Sequence, residues 1–318
     1  MRGAIGALLV LVGLLPGAAG AVDNVWSATG PTGGQVTALA VGGGTPPLVF
    51  AGTAGGGVLR SSNGGASWTG ATRGLANPAV LAVAIDALTL PIVYAGTDGS
   101  GVFKSSDGGV TWQPANGPAG STLAAASVGA LAVDPVDRQT LYAATLGGGV
   151  WRSTDGAATW TARNNGLTSF LVRALAIDPQ TPQTLYAGTV DGIFKSTDAG
   201  TAWTAANTGL SDSFVTMLAI DPASPQILYA ATAGGVFQST DGAAGWSPAS
   251  DGLGGTLVFA LAIHPTTPQT LYAATDAGVF TTTNGGGDWA PAGAGLPADR
   301  AVEALALAPA APARLFAG

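Results

Sequence analysis

Seven tryptophans recur along the chain at a nearly constant interval, and this period limits the folds open to the sequence. The intervals are 42, 44, 48, 43, 43 and 43 residues, and the tryptophans are Trp26, Trp68, Trp112, Trp160, Trp203, Trp246 and Trp289. A repeat of about 40 to 45 residues is typical of one four-stranded blade of a β-propeller. The stretch from Val172 to Leu210 divides at its turn residues into four strand signals, and no stretch has helical periodicity. The sequence therefore predicts an all-β fold of repeated four-stranded blades.

Composition favours a repeat protein and excludes several partners. The 50 glycines and 20 prolines recur with the period, which argues against disorder. Charged residues make up 9% of the chain and the net charge is -7, so no basic stripe is available for nucleic acid or anionic lipid. The sequence has no cysteine, which removes disulfides, thiol catalysis and zinc–thiolate sites. We expect no metal site and no cofactor.

The N-terminus has the pattern of a cleaved signal peptide. Arg2 supplies a positive charge, an apolar run extends from Ala4 to Leu15, and small residues precede a cleavage point after Ala21. The apolar run is too short to span a bilayer comfortably. We therefore predict that residues 1–21 are a signal peptide and that residues 22–318 form a periplasmic or extracellular propeller, with no membrane insertion after cleavage.

A short motif, S-x-D-x-G-x-x-W, precedes the fourth strand signal and runs, for example, from Ser105 to Trp112 and from Ser196 to Trp203. A short Asp or Asn side chain accepts hydrogen bonds from the N–H groups of its own turn, and glycine permits a positive φ. Tryptophan adds a large apolar surface between blades. Because the motif recurs, we interpret its residues as structural. They are Asn63, Asp107, Asp155, Asp198, Asp241 and Asn284, with Trp68, Trp112, Trp160, Trp203, Trp246 and Trp289.

This motif resembles the Asp-box, or BNR, repeat of sialidases, xyloglucanase-type glycosidases, sortilin-type receptors and photosystem II assembly factors. The resemblance covers essentially the whole of residues 22–318. Some copies depart from it, since Asn63 and Asn284 replace the aspartate, Ala157 and Ala243 replace the glycine, and one copy begins with threonine. The resemblance implies a β-propeller in which the motif faces away from the functional surface.

Seven first-strand signals predict a single seven-bladed propeller. They are Val36–Val41, Val80–Asp86, Val128–Asp134, Val172–Asp178, Val215–Asp221, Val258–His264 and Val302–Ala308. No motif precedes Trp26, so its segment is predicted to be the outer strand of the last blade and to close the ring. The sequence ends at Gly318, before the third strand of that blade. We interpret this as a truncated C-terminus, the alternative being a ring that closes imperfectly with a strand from a partner or neighbour.

Little catalytic chemistry remains once each residue is assigned to its repeat position. A sialidase needs a tyrosine nucleophile and an activating glutamate. Every tyrosine here occupies a recurring second-strand position, the sole glutamate is Glu303, and the F-R-I-P signature is missing. His264, the one histidine, replaces a recurring turn aspartate and is interpreted as structural.

Asp98, Asp191 and Asp276 carry the alternative hypothesis, a secreted glycoside hydrolase of the xyloglucanase-like type. They fall between second and third strand signals, near the predicted ring centre, and such an enzyme needs two carboxylates. The competing interpretation is that aspartate favours short turns. The xyloglucanase-type glycosidases also resemble two propellers clamped together, whereas this sequence fits one.

The leading hypothesis is a noncatalytic exported propeller that binds or scaffolds a protein or glycan through the loops of one face. The candidate ligand-binding residues in these loops are Arg73, Arg163, Asn165, Phe170, Phe214 and Arg300. The two phenylalanines alternatively cap the core beneath their loops. A role in assembling a membrane complex is implied by the family resemblance alone.

Overall fold

A computed structural model of the protein describes residues 26–30, 34–86, 92–296, 301–308 and 314–318, and the backbone of 11–14. Within these ranges the structure is all-β apart from one 3-10 helix, Thr122–Ala125. No helix in these ranges is long and apolar enough to cross a membrane. Most of the predicted signal peptide, including its cleavage point, lies outside the described residues.

Six four-stranded sheets are each built from a continuous stretch of chain, and their antiparallel strands are ordered as in the sequence. We number them blades 1 to 6 and call their strands first, second, third and outer. The first strands are Val36–Val41, Val80–Asp86, Val128–Val133, Val172–Ile177, Val215–Ile220 and Val258–Ile263. The second strands are Val49–Thr53, Ile92–Thr97, Leu141–Thr145, Leu185–Thr189, Leu228–Thr232 and Leu271–Thr275. The third strands are Gly57–Ser61, Val102–Ser105, Gly149–Ser153, Gly192–Ser196, Gly235–Ser239 and Gly278–Thr282. The outer strands are Thr69–Gly70, Gln113–Pro114, Thr161–Ala162, Thr204–Ala205, Ser247–Pro248 and Ala290–Pro291.

A seventh sheet combines strands from both ends of the chain. The C-terminal part supplies Leu305–Ala308 and Arg314–Ala317, and Ser27–Ala28 is the outermost strand. Leu11–Leu14 pairs antiparallel with both Arg314–Ala317 and Ser27–Ala28. The fold is therefore a β-propeller with six complete blades and a partial seventh. The sequence predicted seven blades.

Leu11–Leu14 thus lies where the repeat pattern expects a third strand after Gly318. The sequence predicts only a signal peptide for this segment. A short apolar run carries no periodicity that separates a buried strand from the apolar part of a signal peptide.

The hydrophobic core lies between the blades. First strands of successive blades lie side by side, and Leu305–Ala308 contacts both Val258–Ile263 and Val36–Val41, which closes the ring. The second strands are almost wholly buried. One cluster, for example, packs Tyr186 of blade 4 against Trp246 of blade 5. Each blade therefore depends on its neighbours for burial of its apolar surface.

Six of the repeated tryptophans fasten their own sheet to the preceding blade. Each indole N–H donates to a backbone carbonyl of that blade, over 2.6 to 2.9 Å. The donors are Trp26, Trp112, Trp160, Trp203, Trp246 and Trp289. Trp68 differs, because it donates to Gly65 of its own turn. Trp26 bonds to Ala292 of blade 6 and so serves as the tryptophan of the seventh sheet.

The turn between the third and outer strands is held by its own side chains. In blade 2 the Ser105 hydroxyl donates to the Asp107 carboxylate and accepts the N–H of Gly109. Asp107 accepts the N–H and the hydroxyl of Thr111. Bonds from Thr111, Ser105 and Val110 lower the pKa of Asp107 to about 2, with the Thr111 hydroxyl contributing most. Equivalent Ser/Thr to Asp/Asn bonds recur in the other five complete blades.

Two consecutive residues of each turn have a left-handed backbone, although the motif predicts one glycine. In blade 2 these are Gly108 and Gly109, with φ of 73° and 84°. Ala157, Ala199 and Ala243 occupy such positions with φ of 72°, 59° and 68°. A Cβ in this region crowds the following carbonyl oxygen. The alanines are therefore strained.

Replacing Ala199 with glycine is expected to stabilise the protein by about 0.5–1 kcal/mol. The change relieves about 1–2 kcal/mol of left-handed strain, and the greater freedom of glycine in the unfolded chain offsets part of this. Ala157→Gly is the matched control, because Ala157 is 2% exposed and its methyl is worth about 0.8 kcal/mol of burial. Its net effect should be near zero. Urea unfolding measures both variants, and a destabilised A199G would contradict the strain argument.

Candidate functional site

Every first strand has an irregularity at its second residue. In blade 4 the pairing skips Arg173, because Val172 and Ala174 oppose adjacent residues of the second strand. The same β-bulge occurs in the other five complete blades. In the seventh sheet the N–H groups of Glu303 and Ala304 donate to one carbonyl. A bulge redirects the side chain of its extra residue. These residues are Thr37, Leu81, Gly129, Arg173, Thr216, Phe259 and Glu303.

The seven bulge residues line the mouth of a central channel with a volume of about 350 Å³. The rest of the lining is apolar and comes from the first strands and Leu146. Two bulge residues are charged, Arg173 in blade 4 and Glu303 in the seventh sheet, and both line this channel. The Glu303 carboxylate accepts a hydrogen bond from the Gln35 amide. The channel is an apolar tube with isolated charges at its mouth.

An exposed apolar surface adjoins this mouth on the side of blades 3 to 5. It consists of Leu146, Phe170, Leu171 and Phe214, which are 36%, 47%, 44% and 38% exposed, and we call it the mouth patch. Leu146 and Leu171 form a backbone bridge. A Cβ on Gly129 would lie 3.1 Å from the Leu146 side chain, so glycine at this bulge makes room for Leu146.

Arg173 connects the mouth patch to the channel. Its guanidinium lies 5.3 Å from the centre of the Phe214 ring, a cation–π contact. The Phe214 N–H donates to Asp212, and the Phe214 carbonyl accepts the N–H of Ala233, which fix the loop beneath the ring. Arg173 is exposed and makes no ion pair with any residue that the structure describes. The site therefore presents a free cation beside apolar side chains.

The predicted ligand-binding residues divide into two groups. Phe170 and Phe214 lie in the mouth patch. Arg73 and Asn165 occupy equivalent loop positions, where their carbonyls accept the backbone N–H of the next blade's tryptophan. Arg163 lies between blades 3 and 4, where its carbonyl accepts the Trp203 indole N–H. Arg300 is outside the described residues.

Asp98, Asp191 and Asp276 lie in equivalent turns of blades 2, 4 and 6. One blade separates each aspartate from the next, so no two neighbouring blades contribute a pair. The Asp98 carboxylate accepts the Ser127 hydroxyl over 2.5 Å. No group of three or more His, Asp or Glu side chains able to hold a metal occurs among the residues described.

His264 forms the turn that an aspartate forms elsewhere. Its Nδ1 accepts the N–H of Thr267 over 3.2 Å and contacts the Thr267 hydroxyl at 2.8 Å. In blade 4 the Asp178 carboxylate accepts the equivalent N–H groups. Partial burial lowers the pKa of His264 from its usual 6.5.

Sequence reasoning missed Leu146 and the contact between Arg173 and Phe214. Leu146 follows a buried strand and looks like its continuation. Arg173 falls inside an alternating strand signal, which does not reveal a bulge. The sequence did contain a signal for Arg173, because the second residue of the first strand is basic in one blade only.

No family model matches the sequence, and no curated protein matches it. Solved structures do match. The GH74 enzyme of Niastella koreensis is 22% identical with a TM-score of 0.70, and the match covers 90% of this chain and 51% of that one. The GH74 xyloglucanase from Xanthomonas campestris is 21% identical, with a TM-score of 0.66 and the same coverage. The match to an ancestral GH74 enzyme covers 33% of the length of that enzyme.

Two further structures that match the chain are not named as hydrolases. The extracellular domain of a hybrid two component system from B. thetaiotaomicron is 16% identical, with a TM-score of 0.67, and the match covers 94% of this chain and 37% of that one. YCF48 bound to D1 peptide is 16% identical, with a TM-score of 0.65, and the match covers 99% of this chain and 97% of that one. At these identities the matches show the β-propeller fold alone. The chain spans about half the length of the two named GH74 enzymes.

His264 predicts a loss of stability in mild acid. Its pKa is lower in the folded state, so the unfolded chain binds more protons and stability falls as the pH drops below about 6.5. His264→Asp restores the acceptor used in the other blades and should reduce the loss between pH 7 and pH 5. Thermal unfolding at both pH values measures this. An equal loss in both proteins would contradict the assignment, because the chain has one histidine.

Proposed function

We propose that the protein is a noncatalytic exported binding propeller that captures a polypeptide at the mouth patch. The observation that carries this proposal is the exposure of four large apolar side chains at one side of the channel mouth. Contiguous exposed apolar surface on a soluble domain marks interaction sites. The loops that hold it are anchored by backbone hydrogen bonds, so the surface is preformed.

The chemistry of the patch favours a polypeptide over a glycan. Leucine and phenylalanine side chains offer apolar contacts to side chains of a partner. Arg173 adds one unpaired cation, which suits a carboxylate of the same partner. The expected ligand is an apolar peptide segment with an acidic group.

The comparisons support the proposal at the level of the fold. YCF48, which the chain matches over nearly its whole length, was solved with a peptide bound. A propeller of this size therefore has precedent as a peptide receptor. At 16% sequence identity, the peptide bound by YCF48 does not indicate which peptide this chain binds.

We further propose that the chain is an Asp-box protein and that its mature form is exported. The recurring Ser–Asp turns support the first statement, and the N-terminal signal pattern supports the second. A neighbour named as an extracellular domain agrees with export. We propose a seven-bladed closed ring, for which the closing contacts of Trp26 and of Leu305–Ala308 are the support.

The N-terminus of the exported protein gives a direct test. Cleavage after Ala21 would remove Leu11–Leu14 from the seventh sheet. Intact mass of protein secreted with its native N-terminus should correspond to a start at residue 22. A mass that retains residues 1–21 would contradict the proposed signal peptide and favour a structural role for Leu11–Leu14.

Peptide capture is tested with a displayed library of random 12-residue peptides. Selection on the wild-type protein should enrich apolar sequences with an acidic residue. Phe170→Ala combined with Phe214→Ala should weaken a selected peptide at least about tenfold, because each ring contributes apolar burial. Fluorescence anisotropy measures the affinity.

Val136→Ala is the matched control, because Val136 is 73% exposed and lies between a first and a second strand, at the opposite end of the blades. It should leave peptide affinity unchanged, and all variants should keep the wild-type melting temperature. Failure to select any peptide, or equal affinity in the double variant, would overturn the proposal. Turnover of xyloglucan lost on replacing Asp98, Asp191 or Asp276 would instead support the hydrolase alternative, which the GH74 neighbours favour.

A further inference from the structure

Blade 3 carries arginines at two repeat positions that face blade 4, where each of the other complete blades carries at most one basic side chain. The first is Arg152, which pairs with Tyr142 in the sheet and lies 5.9 Å from the centre of its ring. In blades 2 and 4 the equivalent residue is a lysine that donates to a turn carbonyl of the next blade. Those lysines are Lys104 and Lys195. Arg152 has no such bond.

The second arginine, Arg163, replaces an alanine. Its position is defined by a carbonyl that accepts the indole N–H of the next blade's tryptophan. The equivalent residues are Ala71, Ala115, Ala206, Ala249 and Ala292. Arg152 pairs with Thr161, and Arg163 follows two residues later, so both arginines lie on the same face of blade 3 as Tyr142.

Both guanidinium groups lack a partner at a buried atom. The Nε atoms of Arg152 and Arg163 are buried, and their N–H groups donate a hydrogen bond to no described residue. Their charges oppose the rise that burial causes in the pKa of Tyr142. The nearby Asp134 carboxylate is engaged by two backbone N–H groups of its own turn. The sole ion pair in the described ranges joins Arg138 and Asp86.

We propose that this pair of arginines between blades 3 and 4 binds a tetrahedral oxyanion of the phosphate or sulfate class. Arginine pairs with such anions through two parallel N–H bonds, and these charge-assisted bonds are strong. Two guanidinium groups together provide more N–H donors than the two oxygens of a carboxylate can match, whereas the Tyr142 hydroxyl already donates to the Ala199 carbonyl of blade 4. The site is separate from the mouth patch and does not depend on the proposed function.

The test is calorimetric titration of the full chain with inorganic phosphate and with sulfate, at an ionic strength held constant with chloride. We expect saturable binding by the wild type. Arg163→Ala introduces the residue of five other sheets, and Arg152→Lys introduces that of blades 2 and 4, so both variants should fold. Each should weaken binding about tenfold or more, because each removes charge-assisted hydrogen bonds.

Arg60→Lys is the matched control. Arg60 occupies the position of Arg152 in blade 1 and also has a buried Nε without a partner, but it pairs with Phe50, and Ala71 stands in place of the second arginine. Its replacement should leave binding unchanged. Absence of saturable binding by the wild type, or equal weakening in R60K, would overturn the proposal. A parallel titration with O-phosphoserine distinguishes a free anion from a phosphate group carried on a larger molecule. Tighter binding of inorganic phosphate indicates a free anion, and tighter binding of O-phosphoserine indicates a carried phosphate group; both results support the site.

Discussion

The bond that six of the seven repeated tryptophans make to the preceding blade is the interaction on which the ring depends. A blade cannot bury its apolar face alone, so its position is set by what holds it against its neighbour. The indole bond is accompanied by a second contact, in which a loop glycine lies against the tryptophan backbone. A Cβ on Gly166 or Gly209 would lie 2.1 Å from the carbonyl oxygen of Trp203 or Trp246. The glycine is required by this approach as well as by its positive φ.

Because these contacts lie away from the channel mouth, the side chains at the mouth are free to differ between blades. The tryptophans and Ser–Asp turns lie between third and outer strands, whereas the bulge residues begin the first strands. Thr37, Gly129 and Phe259 occupy the same backbone position with unrelated side chains. The arrangement separates residues that hold the blades together from residues that define a binding surface. Arg173 and Glu303 belong to the second set.

The repeat was predictable because its signals are local. The tryptophan interval and the Ser–Asp turn locate every complete blade, and the outer strand beside Trp26 is where its position indicates. The candidate site was harder to predict from the sequence, because it depends on contacts between loops that are distant in the sequence. Phe214 was identified, but its partner Arg173 was not, since a bulge interrupts the alternation that pattern reading assumes. Arg163 was assigned to a loop although its carbonyl belongs to the contact between two blades. The additional positive φ, at the residue before the motif's glycine position, was missed because the motif leaves that residue unspecified and blade 4 has Ala199 there.

The contact of Trp26 with Ala292 spans 266 residues and has a consequence for the order of folding. Contacts within blades 1 to 6 join residues close in sequence, so these sheets are able to form and stack progressively from either end of the array. The closing contact must instead wait until both ends of the array are in place, and it carries a large loop-closure entropy. We therefore expect ring closure to be a late event, in which an open stack of blades with two unprotected terminal faces brings its first and last sheets into contact.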